Sequence, residues 1–73
     1  MKTMQFVVCV NNADYPASLE LRKIYQVLPD AEAERLCQLR IIDESGEDYL
    51  YPASSFISIQ LPKEVEAAVI RAA

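Results

Sequence analysis

Seven basic and eleven acidic residues among seventy-three give a net charge of −4, with no histidine, no tryptophan, one glycine and two cysteines. A chain of that length makes one small domain, and a single core of this size supplies only about 3–5 kcal/mol of net stability. The negative charge repels phosphate backbones, and no aromatic is interleaved with a basic run, so nucleic acid is not an expected partner.

The cysteines, Cys9 and Cys37, are too few for a zinc site of their own, and both thiols are expected to be free. No metal and no cofactor are expected. The opening Met-Lys-Thr-Met-Gln-Phe-Val-Val-Cys-Val is too short an apolar run to cross a membrane and ends in no small-residue cleavage site. The expectation is a cytoplasmic, soluble protein without a membrane partner.

In chain order, Met4 to Val10 is apolar at almost every position and valine-rich, which predicts a first strand buried on both faces, or on one face with a partner on the other. Asn11-Asn12 ends it, and a loop with Tyr15-Pro16 follows. Leu19 to Leu28 alternates, with a phase slip at Arg22-Lys23 that predicts a bend before a second strand near 22–28. Pro29 stops it. Asp30 is placed to cap a helical turn over 31–36. Strands near 38–43 and 48–51 flank the acidic turn Glu44-Ser45-Gly46-Glu47, where Gly46 supplies the positive φ of a tight hairpin. Pro52 to Ser55 predicts a single 3₁₀ turn, and Phe56 to Leu61 a fifth strand with Ile57, Ile59 and Leu61 on one face. Pro62 opens a helix over 63–71 whose stripe is Val65, Ala68, Val69 and Ala72.

Five strands with these breaks define a mainly β domain, a small barrel over about 4–61 followed by a C-terminal helix over about 62–72. Ser18-Leu19-Glu20-Leu21, then Ile24 to Leu28, and Tyr49-Leu50-Tyr51-Pro52-Ala53-Ser54-Ser55-Phe56-Ile57 resemble the end of the first loop, the second strand and the late proline–aromatic segment of the Src-homology-3 barrel. The resemblance spans about residues 5–61 and implies a five-stranded Src-homology-3-like barrel. It does not extend to polyproline binding. Val7-Val8-Cys9-Val10-Asn11 stands where that family has an aromatic-rich motif, and Cys37-Gln38-Leu39 where it has a tryptophan. Gly46 to Pro52 is also similar to a segment of short, uncharacterised bacterial proteins.

Asp43, Glu44, Glu47 and Asp48 place four carboxylates in six residues. They lack the ligand spacing of a calcium loop and read as a solvated hairpin tip that keeps strand edges apart. Tyr49 and Tyr51 share a strand face, pointing either into the core or outward beside Tyr15 and Phe56 as an aromatic recognition patch. With no histidine base, no phosphate-cradling glycine loop and no serine elbow, no catalytic residue is expected. The reading is a non-catalytic protein-binding or docking module. Its candidate contact residues are Asp14, Tyr15, Glu47, Asp48, Tyr49, Tyr51, Pro52 and Phe56. The expected partner is another protein, or a second copy of the chain in a homodimer. The alternative is an acidic regulatory or accessory subunit, such as an antitoxin-like partner of a basic protein.

Overall fold

The structure, a computed structural model, describes residues 5–72. Met4, the expected first residue of the first strand, lies outside that range. The elements are β1 (Gln5–Cys9), β2 (Ile24–Leu28), α1 (Ala31–Arg35), β3 (Gln38–Ile42), β4 (Asp48–Pro52), the 3₁₀ turn η1 (Ala53–Ser55), β5 (Phe56–Ile59) and α2 (Lys63–Ala72). The strands form one antiparallel sheet in the order β4-β3-β2-β1-β5. β4 and β5 are its two edges, so the hydrogen-bonded sheet stays open where a closed barrel was expected.

Strand register explains which side chains meet. Val7 stands opposite Tyr25 and Ser58, Cys9 opposite Phe56, Val27 opposite Ile41, and Leu39 opposite Tyr51. With side chains alternating between faces, these residues line one side of the sheet. There Val7, Cys9, Tyr25, Val27, Ile41, Tyr51 and Phe56 make a single buried cluster, with Leu39 packed against it. Leu19 closes the cluster from the loop before β2 and is fully buried.

The opposite face is apolar too. Val8 lies between Ile57 and Ile24, and Phe6 between Ile59 and Gln26. β1 is therefore buried on both faces, the first of the two alternatives its continuous apolar run allows, with Phe6 and Val7 almost fully enclosed. The apolar row of β5 turns to this outer face, and Phe56, from the mixed row, points into the core. Ile57 is consequently 59% exposed at the sheet edge.

Local chemistry sets the boundaries. β2 starts at Ile24, two residues later than its alternation suggests, because Arg22 adopts φ 64. Arg22 N–H donates to Cys9 O, and Cys9 N–H donates to Lys23 O, so the bend is stitched to the end of β1. Asp30 accepts from the Ala33 N–H and caps α1. Cys37, at φ 59, takes the left-handed position just after α1 that glycine usually fills. Gly46, at φ 84, turns the β3–β4 hairpin.

Removing side-chain volume at the sheet centre should be costly. Ile41 is fully buried, so Ile41→Ala is expected to cost about 2–5 kcal/mol, as much as the whole domain commands. Urea unfolding should show Ile41→Ala largely unfolded, Ile41→Val still folded, and Leu36→Ala, at a side chain 66% exposed, near native stability. The thiols are both free, Cys9 buried and Cys37 exposed. A thiol reagent is expected to modify Cys37 in the native protein and Cys9 only on unfolding, read by mass spectrometry.

Candidate functional site

The acidic hairpin base is more ordered than a solvated tip. Asp43 is only 6% exposed, and both its oxygens are used. Oδ1 accepts from the Ser45 N–H at 2.9 Å and from the Ser45 hydroxyl, and Oδ2 accepts from the Tyr51 hydroxyl at 2.6 Å. Glu44, next in the chain, accepts from the Tyr25 hydroxyl at 2.5 Å and pairs with Lys23 Nζ at 2.6 Å. Tyr25 in turn accepts from the Glu20 N–H, and Glu44 N–H donates to Ser18 O. Two core tyrosines, from β2 and β4, thus reach adjacent carboxylates at the end of β3, and the loop before β2 is tied to the same point.

Charge follows from these partners. Burial works against the charged form of Asp43, but the hydrogen bonds from Ser45 and Tyr51 outweigh it and leave the carboxyl below its ordinary pKa. Glu44 is also held down, by Lys23 first and Tyr25 second. Burial pushes the Tyr25 and Tyr51 hydroxyls up, and the carboxylates beside them add to the shift. The remaining two acids of the cluster have their own partners. Glu47 accepts from the Tyr49 hydroxyl at 3.2 Å, and Asp48 binds Arg40, which also binds Asp30. Among the described residues, no group of three or more cysteine or carboxylate side chains is gathered where it could hold a metal ion.

The structure divides the expected aromatic patch. Tyr51 and Phe56 belong to the buried core, so neither can be a surface anchor; their strand positions face the sheet interior beside Val7, Cys9 and Leu39. Tyr15 and Tyr49 do reach solvent, at 38% and 52% exposure. Tyr51 supports Tyr15 from below. Its ring meets Tyr15 edge-on at 4.9 Å between centroids, and it shares a strand face with Tyr49 two residues away. Pro52, Asp14, Glu47 and Asp48 are all exposed. The result is one accessible ring, Tyr15, resting on buried Tyr51 and a second, Tyr49, exposed further along β4, with acidic side chains adjoining them in the chain.

No protein-family model, curated protein or solved structure matches the chain. Among the described residues, no helix is long and apolar enough to cross a membrane.

Sequence reasoning missed the roles of Asp43, Glu44 and Tyr25. The spacing Asp43-Glu44-Ser45 is a local signal for the Asp43–Ser45 turn bond, since aspartate commonly accepts from the amide two residues on. The bonds to Tyr51 and Tyr25 span 8 and 19 residues and have no local signature.

These ties set a pH window. Asp43 and Glu44 are lowered on folding, so their contribution is present above the ordinary carboxylate pKa of about 4 and is lost as pH falls through their folded values. Tyr25 and Tyr51 are raised, so theirs is present below about pH 10 and is lost as pH rises through the folded values. Thermal unfolding followed by circular dichroism should give a plateau between those limits and a fall on both sides. Tyr51→Phe is expected to cost about 1–3 kcal/mol at neutral pH, because it leaves a buried carboxylate oxygen without its donor.

Proposed function

We propose that the protein is a non-catalytic binding module that takes a basic segment of another protein on the surface around Tyr15 and Tyr49. The observation that carries this reading is the exposed Tyr15 ring seated edge-on against buried Tyr51, with exposed Tyr49 two residues along the same strand face and Asp14, Glu47 and Asp48 beside these tyrosines in the chain. An aromatic ring held from beneath offers contact area at little entropic cost, which is what interface anchors need. Tyr49 keeps its hydroxyl on Glu47, so the ring is oriented as well as exposed. The acids supply the complementary field, which attracts a basic partner and makes its arrival sensitive to salt.

The same reading takes the sheet as a member of the Src-homology-3-like class of small barrels. Its support is the meander order β4-β3-β2-β1-β5 and the 3₁₀ turn that carries the chain from one edge strand to the other. Polyproline recognition does not follow, because the chain has no tryptophan and Val7 to Asn11 holds no aromatic where that family has its aromatic-rich motif. The hydrogen bonds of Asp43 and Glu44 give those two carboxylates a structural task, which supports recognition rather than proton transfer as the reading of this surface.

The test is affinity capture with the immobilised protein, followed by titration of the captured partner. Tyr15→Ala and Tyr49→Ala are each expected to weaken binding by more than about 1 kcal/mol at unchanged fold stability, and added salt should slow association. Unchanged affinity in both variants would overturn the site.

A further inference from the structure

Among the elements described, α2 is the one with no buried residue. That is an unusual position for a helix of 10 residues, which is marginal in water unless an apolar face is covered. Its own sheet covers it poorly. Glu66 and Val69 are half-buried, and Val69, Ile70 and Ala72 form one wall of an open groove of about 680 Å³ whose floor is Phe6, Ile24 and Ile42.

At 100° per residue, Glu66, Val69 and Ile70 occupy the side of the helix turned to the sheet, while Val65 and Ala68 lie roughly a third of a turn away and Ala72, at the helix end, borders both that side and the groove. These last three are exposed, and their 3-and-4 spacing is that of a helix-pairing seam. Two alanines in the seam allow close approach of a second backbone. The charges around it are self-complementary. Glu64 and Arg71 are seven residues apart, so both flank the seam on the side away from the sheet. In an antiparallel pair crossing at Ala68, Glu64 of each copy falls beside the partner's Arg71, twice over, and the helix dipoles oppose. A two-fold pair needs such a surface, one patch that complements itself.

We propose that a second copy of this chain is what covers α2, through antiparallel α2–α2 packing on the Val65–Ala68–Ala72 seam with reciprocal Glu64–Arg71 pairs. The seam lies on the outer side of the sheet, away from Tyr15 and Tyr49, so it leaves the tyrosine surface of both copies open and stands or falls independently of it.

Sedimentation velocity across a concentration series, with circular dichroism to confirm folding, tests the pairing. The native chain is expected to run at twice its 8.2 kDa mass. Ala68→Glu should give a folded monomer. Glu64→Arg and Arg71→Glu should each weaken association by at least about tenfold by setting like charges together, and the double variant should recover it. A native chain that stays monomeric at high concentration overturns the proposal. So does a dimer indifferent to Ala68→Glu, or charge variants whose combination restores nothing.

Discussion

The Tyr25 and Tyr51 hydroxyls donate to Glu44 and Asp43, two carboxylates that are neighbours in the chain and sit where β3 gives way to the hairpin turn. Through them β2, β4 and the loop before β2 are fastened to one point. Each ring also packs in the core, Tyr25 edge-on to Phe56 and Tyr51 edge-on to both Phe56 and Tyr15. A tyrosine buried without a partner for its hydroxyl would lose the hydrogen bonding it had in water, and a buried carboxylate without donors would lose more. Joined, each satisfies the other. In a domain with so small a core, these two pairs fix how the hairpin and the 13–22 loop lie over the sheet, and with them the exposed rings of Tyr15 and Tyr49.

The second constraint is a sheet that is apolar on both sides. On one side the chain covers itself with Leu19 and the loop before β2. On the other, among the described residues, it has a short helix that leans over a groove and has no fully buried side chain of its own. The edge residues Ile57 and Leu50 add to the exposed apolar surface of that side. This asymmetry separates the molecule into a finished face, which carries the tyrosines and acids, and an unfinished one, which carries α2.

The element order was readable from residue patterns. The continuous apolar run of β1, the Asp30 cap, Gly46 in the hairpin and the Pro52 break each act over a few residues, so sequence alone exposes them. The start of β2 was harder to place, because it depends on Arg22 adopting a conformation that arginine does not signal. Burial of the aromatics was not legible at all. Tyr49 and Tyr51 have the same identity and the same strand face, and they differ only in distance from the core, which tertiary packing decides. Phe56 and Ile57 could exchange faces by a one-residue shift in register, and the pairing with Cys9 settles it. The carboxylates looked like surface charge because their partners are remote in sequence.

The most direct test of the tyrosine–carboxylate ties is proton magnetic resonance in water at neutral pH. A hydroxyl proton held between a buried ring and a carboxylate exchanges slowly and moves downfield. Two such resonances are expected, one abolished by Tyr25→Phe and the other by Tyr51→Phe, both fading as Asp43 and Glu44 are protonated. A folded protein with no protected hydroxyl resonance, or with resonances indifferent to those substitutions, would contradict the account.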